Sequence, residues 1–144
     1  MISSEVWSDA FSRAGAAATA MGLSLVDPLL QDVAARDSLY WIVPMSAASS
    51  DRMGAGEIQN EETGQIILTL MIRKGKTSTP DALTYCQAMS AAFRAPAGIR
   101  PTDWPEGLYY DGQDFSPPDL SETGNWYAAT LMISYRYQTQ MQTA

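Results

Sequence analysis

Residues 65–73 (QIILTLMIR) alternate in a way that commits this chain to a β-sheet with one buried face. Successive side chains of a strand point to opposite faces, and one face of this segment is wholly aliphatic: Ile66, Leu68, Leu70 and Ile72. The other face is only half apolar: Ile67, Thr69, Met71 and Arg73. A one-residue slip would move the aliphatic set into water. We therefore expect helices over the first face and partial cover, for example by a neighbouring subunit, over the second.

Three further segments are predicted strands. Residues 39–43 are β-branched and aromatic and stop at Pro44, and residues 108–110 allow a short strand. The last strand, residues 125–138, alternates in the same way and places six side chains on one face: Tyr127, Ala129, Leu131, Ile133, Tyr135 and Tyr137. The polar residues 139–144 are expected to form a flexible tail.

The segment before residue 65 predicts a hairpin. Glycines punctuate residues 54–60, and residues 61–64 (EETG) have the composition of a turn. The small polar residues 46–52 that precede them predict a mobile loop.

An amphipathic helix is predicted over residues 4–21. Ser3 or Ser4 can cap its start, and Gly22 can end it in the left-handed conformation. Its apolar stripe consists of Trp7, Phe11, Ala14, Ala18 and Met21.

A second helix is predicted over residues 80–93. Thr79 can cap it, Pro80 suits the first helical position, and Asp81 complements the positive helix end. Its apolar stripe consists of Ala82, Leu83, Cys86, Met89, Ala92 and Phe93. Residues 28–36 are either a short helix that begins at Pro28 or an extended linker.

Residues 111–124 are rich in proline, glycine and aspartate and predict a loop long enough to need a functional reason. The 144 residues suit one domain, 1–144. The order of the elements predicts an α+β fold, with an antiparallel or mixed β-sheet and with the N-terminal helix and the central helix (80–93) packed on one face.

The residue inventory argues against catalysis. Histidine is absent, and the single cysteine, Cys86, lies on an apolar helix stripe, as expected of a buried structural thiol. Carboxylates gather near the predicted turn (Glu57, Glu61, Glu62) and in the predicted loop (Asp111, Asp114, Asp119, Glu122). Neither group has the spacing of a calcium loop, and a solvated surface explains both better than acid–base chemistry. We expect no enzyme activity, no metal site and no cofactor.

The charge balance is acidic, with nine Lys and Arg against sixteen Asp and Glu and a net charge of −7. This disfavours sequence-specific DNA binding, which needs cations at the phosphates. No apolar run approaches the roughly 20 residues of a membrane span, and the N-terminus lacks the basic start of a signal peptide, so we expect cytoplasmic synthesis. Against this background the tip at residues 73–76 is either an exposed turn or a positive knob that docks on an acidic partner through Arg73, Lys74 and Lys76.

The order of these features is distinctive as a whole. An amphipathic helix precedes a tryptophan-bearing strand that ends in proline, residues 40–44 (YWIVP). A glycine-bounded strand, residues 64–73, runs into a helix that ends at Phe93, and a proline- and glycine-rich loop precedes a terminal strand that ends at residues 134–137 (SYRY). Over nearly the whole chain, this order resembles the tail terminator (tail completion) proteins of long-tailed, siphovirus-type bacteriophages and of gene transfer agents.

The resemblance implies a structural virion protein that forms a ring, usually a hexamer, at the head-proximal end of the tail tube. One face of the ring would stack on the last tube ring and halt tube polymerisation. The other face would receive the neck or head completion proteins, and DNA would pass through the middle without sequence-specific binding. An acidic lumen suits this passage because it repels DNA.

Three sets of residues take hypothetical roles in such a ring. Arg73, Lys74 and Lys76 would form a partner-docking tip. A loop would contact a neighbouring ring or subunit through Asp111, Asp114, Phe115, Asp119 and Glu122. The lumen would be lined by Glu57, Glu61 and Glu62.

Other functions stay open at the level of sequence. Another head–tail joining protein, such as a neck stopper or head completion protein, or a minor tail protein, would share this size and composition. A small α+β binding module of non-viral origin is a more distant alternative.

Overall fold

In the computed structural model, the described residues are 2–27, 39–43, 48–53, 58–95, 101, 103–118 and 126–141. They form two helices and six strands in the order α1 (Ser4–Ala20), β1 (Leu25–Val26), β2 (Tyr40–Ile42), β3 (Ala48–Met53), β4 (Ile58–Arg73), α2 (Thr79–Ala91), β5 (Leu108–Ser116) and β6 (Trp126–Met141). The α+β class predicted from the sequence is confirmed. The predicted helix or linker at 28–36 lies outside the described residues.

Strands β4 and β6 form the centre of the sheet. They pair antiparallel along their whole length, from Ile58 opposite Met141 to Arg73 opposite Trp126. Sixteen residues at about 3.3 Å each give a spine roughly 50 Å long. Strand β5 pairs with the far side of β6. On the far side of β4, β2 pairs with residues 69–71 and β3 with residues 59–64, and β1 adds to β2 in parallel.

The core lies between the inner face of the sheet and the two helices. Strand β4 contributes the predicted aliphatic set and β6 its counterparts, all buried: Ile66, Leu68, Leu70, Ile72, Ala129, Leu131, Ile133 and Tyr135. The helices meet them with Val6, Ala10, Ala14, Ala18, Cys86, Met89 and, just beyond α2, Phe93. Burying each large aliphatic side chain stabilises the fold by roughly 1.5–3 kcal/mol. On the outer face, Ile67, Met71 and Met132 stay partly exposed, as the half-apolar pattern predicts.

Helix α1 has the predicted span, but its buried stripe is shifted. Ser3 is the N-cap, and its hydroxyl accepts a hydrogen bond from the Val6 N–H. The fully buried positions lie at 6, 10, 14 and 18, because alanines at three of them let the helix backbone approach the sheet closely. Trp7 and Phe11 stack on each other with ring centroids 4.7 Å apart and lie partly exposed beside the core.

Helix α2 begins one residue earlier than predicted. Ser78, and not Thr79, is the N-cap, and its hydroxyl accepts from the Asp81 N–H at 3.4 Å. The predicted stripe is correct at Cys86 and Met89, which are buried, but wrong at Leu83, which is 44% exposed. The difference follows from the position of Leu83 near the start of the helix, where the sheet beneath it ends.

The turn predicted at residues 61–64 is wrong, because these residues lie inside β4. Each of them pairs with β3 on one side and with β6 on the other, and two ladders outweigh the turn propensity of Gly64. The hairpin instead connects Met53 to Ile58. The segment 46–52, predicted as a mobile loop, supplies strand β3 from Ala48 onward, while its first two residues lie outside the described ranges.

The last two strands are longer than predicted. Strand β5 continues to Ser116, so residues 111–116 of the predicted loop are strand, joined to β6 around a bulge between Tyr110 and Gly112. Strand β6 continues to Met141, so residues 139–141 of the predicted tail are paired with β4.

Candidate docking surfaces

The basic end of the β4–β6 spine is the turn between β4 and α2, with the first residues of β6 beside it. The turn closes by a hydrogen bond from the Lys76 N–H to the Arg73 carbonyl at 3.3 Å, and Gly75 takes a positive φ of 79°. The Lys74 ammonium lies 4.5 Å from the ring centroid of Tyr127, and Arg73 lies over Trp126. Pairing of Arg73 with Trp126 brings these cations and rings together.

An apolar groove of about 200 Å³ adjoins this turn. Its walls are the start of α2 and the end of β5, and its floor includes Ile72, Cys86 and Ala129. Leu83 and Phe115 stand at its sides, 44% and 43% exposed. Two large apolar side chains in water beside a basic turn form a surface suited to protein contact.

The carboxylate end is the opposite part of the spine, around Glu61 and Glu62. Glu62 is only 7% exposed, and both its oxygens accept from the Ser3 N–H at 3.1 Å. The Tyr135 hydroxyl donates to the same carboxylate at 2.6 Å. Burial, and then this hydrogen bond and the charge of Glu62, raise the pKa of Tyr135 above its ordinary value. Glu62 therefore ties the start of α1 to the sheet.

The other carboxylates of this end face outward. Glu61 is partly exposed and accepts a hydrogen bond from the Gln138 side chain at 2.9 Å. Glu5 and Glu106 are exposed. Glu5 lies close enough for its charge, after burial, to raise the pKa of Tyr137, and Glu106 precedes Gly107, whose carbonyl accepts from the Gln138 N–H at 2.9 Å.

A third polar cluster, not predicted from the sequence, lies midway along α1. Arg13 bridges Asp9 and Asp103 at 3.4 and 3.2 Å, and the Tyr110 hydroxyl donates to Asp9. Burial alone would lower the pKa of Arg13, but its two carboxylate partners raise it overall. Burial and the Asp9 bond also raise the pKa of Tyr110. The open cleft beside this cluster measures about 500 Å³, and its charges are already paired with each other.

The structure separates the residues of the predicted inter-ring loop. Asp111 pairs with Arg136 at 2.8 Å on β6, Asp114 is exposed on the outer face of β5, and Phe115 reaches the groove on the inner face. Asp119 and Glu122 lie outside the described residues. The predicted loop conformation is therefore wrong for residues 111–116, which are a paired strand, while their contact with a neighbouring ring or subunit stays a prediction.

Of the carboxylates predicted to line an acidic lumen, Glu62 is buried in the single chain and accepts hydrogen bonds, so its role in a lumen stays a prediction. Glu61 keeps a partly exposed carboxylate. Glu57 lies outside the described residues. The burial of Glu62 was not predicted, since its partners Ser3 and Tyr135 are distant along the chain.

The described side chains offer little reactive chemistry. Burial raises the pKa of Cys86 to about 11, so the thiol stays protonated at neutral pH. Within the described ranges, no three His, Cys, Asp or Glu side chains are grouped to hold a metal ion. The same part of the chain contains no helix long and apolar enough to cross a membrane.

The prominent features of the described surface are thus two chemically opposite ends of one rigid spine. No protein-family model matches this chain, and no curated protein matches it either. The resemblance to tail terminators accordingly stays a prediction from the pattern of the sequence.

Proposed function

We propose that this protein is a structural virion protein of the tail terminator kind. It forms a homo-oligomeric ring, a hexamer in the expected case, at the head-proximal end of a phage-type tail tube. The ring halts tube polymerisation and presents a docking surface to the neck and head completion proteins. DNA passes through it without sequence-specific contact.

The observation that carries this proposal is the exposed apolar surface at the basic end. Leu83 and Phe115 flank a groove beside the turn that holds both lysines of the chain, Lys74 and Lys76. Exposed apolar surface with a polar rim is typical of a site where another protein binds. The long pairing of β4 with β6 fixes this surface relative to the rest of the protomer, as assembly of identical copies requires.

The outer face of the sheet supports the same function. Ile67, Met71 and Met132 lie partly exposed on its central strands, opposite the face that α1 and α2 cover. In a ring, a neighbouring subunit covers such a face, and the contact joins two different surfaces of the protomer. The net charge of −7 favours passage of DNA because it keeps the phosphates from adhering to the ring.

The direct test combines the purified protein with a tail tube protein from the same genome. We expect native mass spectrometry to detect a ring bound to the tube and electron microscopy to show that tube growth stops when the protein is added. The variant Lys74→Glu/Lys76→Glu tests the basic end. Arg94→Glu is its control, because it reverses the charge of an exposed arginine elsewhere. Failure to associate with the tube under any condition would overturn the proposal.

Imaging the virion distinguishes the neighbouring functions. A terminator lies between the tail tube and the connector. A neck stopper or head completion protein lies on the head side of that joint, and a minor tail protein lies elsewhere along the tail. Absence from the particle altogether would favour a non-viral binding module.

A further inference from the structure

The charges of this chain are segregated along the spine. Three of its nine cations lie within residues 73–76, which leaves six cations against sixteen carboxylates everywhere else. The basic end also includes the positive N-terminus of α2, although Asp81 in its first turn offsets part of that charge.

The opposite end carries exposed acids. Glu61 lies opposite Gln138 in the ladder, Glu106 precedes the residue that pairs with Gln138, and Glu5 lies beside Tyr137. All three stand about twelve strand residues, or roughly 40 Å, from the basic turn. Among the described side chains at this end, the nearby cation Arg136 is held by Asp111.

We infer that the basic end of one copy docks head to tail on the carboxylate end of a second copy. Lys74 and Lys76 meet Glu5, Glu61 and Glu106 of the neighbour, and the neighbour covers the groove between Leu83 and Phe115. This inference rests on the proposed ring function and deepens it, because it names two further surfaces, besides the outer face of the sheet, through which the copies join.

Charge complementarity selects a second copy as the occupant. Any second molecule of this chain carries a net charge of −7, and the exposed carboxylates Glu5 and Glu106 lie at the end opposite its own lysines. Such a contact is heterologous, so each copy uses one end and leaves the other open to the next copy. Rings or filaments follow from repetition of this contact, whereas a two-fold dimer joined through the same end of both copies would bring like charges together.

The apolar groove supplies the affinity that the charges alone do not. Exposed ion pairs contribute little to affinity in water, whereas removal of large apolar side chains from solvent contributes strongly. Leu83 and Phe115 therefore hold the contact, and the lysines orient it and speed the encounter.

Charge-swapped variants of the full chain test this inference. One variant carries Lys74→Glu and Lys76→Glu, and the other carries Glu5→Lys and Glu106→Lys; all four residues lie at the surface of the monomer. Each variant alone has two ends of like charge and is expected to lose self-association, with the Kd raised about tenfold or more. An equimolar mixture restores one native contact and one swapped contact, so association returns.

Self-association is measured by sedimentation velocity at about 20 mM and about 500 mM salt, because the Debye length falls from roughly 20 Å to roughly 4 Å over this range. The wild type is expected to associate more weakly at high salt. Leu83→Ser is expected to weaken association equally at both salt concentrations, and Arg94→Glu is the control that leaves it unchanged. Circular dichroism verifies the fold, and Gln replaces Lys or Glu at any position where charge reversal unfolds the chain.

Three outcomes would overturn the inference: a wild type that stays monomeric up to its solubility limit, a charge-reversed variant that associates as the wild type does, or a mixture that fails to restore association. The outcome is distinct from that of the tube experiment. A protein that stays monomeric alone but binds the tube loses this contact and keeps its proposed function. A protein that self-associates but never binds the tube keeps the contact and loses the function.

Discussion

Charged residues have different environments at the two ends of the β4–β6 spine: one is buried at the carboxylate end, and two are partly exposed at the basic end. At the carboxylate end, Glu62 turns inward and accepts hydrogen bonds from Ser3 and Tyr135. At the basic end, Lys74 and Arg73 spread over the faces of Tyr127 and Trp126 and remain partly exposed. The same pair of strands therefore carries a buried charge that belongs to the fold at one end and partly exposed charges at the other.

Whether a charged side chain is buried or exposed at each end depends on the partners that lie near it. A buried carboxylate is tolerated only when donors satisfy it, and the start of α1 supplies a backbone N–H to Glu62. A lysine can instead lay its aliphatic stem over an aromatic ring and keep its ammonium in water. We expect substitutions of the buried Glu62 and its donors to affect folding, and substitutions of the exposed charges at either end to affect association.

The largest expected effect on stability is at Gly107, and Gly75 is its comparison; both glycines have a positive φ, and one lies at each end of the spine. A Cβ at Gly107 would lie 2.2 Å from the Gln138 carbonyl oxygen, whereas a Cβ at Gly75 meets nothing within 4 Å. Gly107→Ala should destabilise the fold by about 3 kcal/mol or more, from strain plus the clash, and Gly75→Ala by about 1–2 kcal/mol, from strain alone. Urea denaturation measures both, and equal losses would contradict the contrast.

The next effect concerns the buried hydrogen bond at the carboxylate end. Tyr135→Phe removes the donor to Glu62 and should cost about 1.5–3 kcal/mol, as expected for a hydrogen bond to a charged group. Tyr127→Phe, at the basic end, is the control and should cost under about 0.5 kcal/mol. Equal losses in the two variants, measured by chemical denaturation at neutral pH, would refute a special role of Glu62.

The raised pKa of Tyr135 predicts that the stability of the fold depends on pH. Burial raises its pKa in the folded protein above the ordinary value of 10, so the folded state keeps a proton that the unfolded chain releases. This stabilisation is complete below about pH 10 and is lost as the pH rises from there toward the folded pKa. Stability should therefore fall above pH 10, and less steeply in Tyr135→Phe. Tyr110, Tyr137 and Cys86, whose pKa values burial also raises, account for the slope that remains.

The sequence predicted the fold best where one period governed a whole segment. The alternation in residues 65–73 and 125–138 gave the correct inner faces of β4 and β6, because register is strongly specified when one face is buried. The turn predicted at 61–64 was wrong. Local composition favours a turn there, but β3 and β6 pair with these residues on both sides.

The candidate surfaces were predicted only in part. The basic turn was visible as a cluster of cations, since a cluster is a local property. The burial of Glu62 depends on Ser3 and Tyr135, which are 59 and 73 residues away, and nothing local marks it. The exposure of Leu83 was missed because helical periodicity shows which face is apolar but not where the sheet beneath that face ends.

A smaller effect on stability is expected for the exposed leucine of the groove. Leu83→Ala removes a side chain that is already 44% exposed, so the free energy of unfolding should fall by less than about 1 kcal/mol. Leu68→Ala, fully buried on β4, should cost about 2–5 kcal/mol. A loss of similar size at the two positions in thermal or chemical denaturation would mean that Leu83 serves the fold and not a partner.

The smallest effect tests the contact between Lys74 and Tyr127. Lys74→Met keeps the aliphatic stem and removes the charge above the ring, which should cost about 0.5–1 kcal/mol. Lys76→Met is the control, because it removes the same charge from an exposed neighbour. A double-mutant cycle with Tyr127→Leu should return a coupling of about 0.5 kcal/mol for Lys74 and none for Lys76. A coupling well above 1 kcal/mol would make the lysine part of the fold and erase the contrast between the two ends.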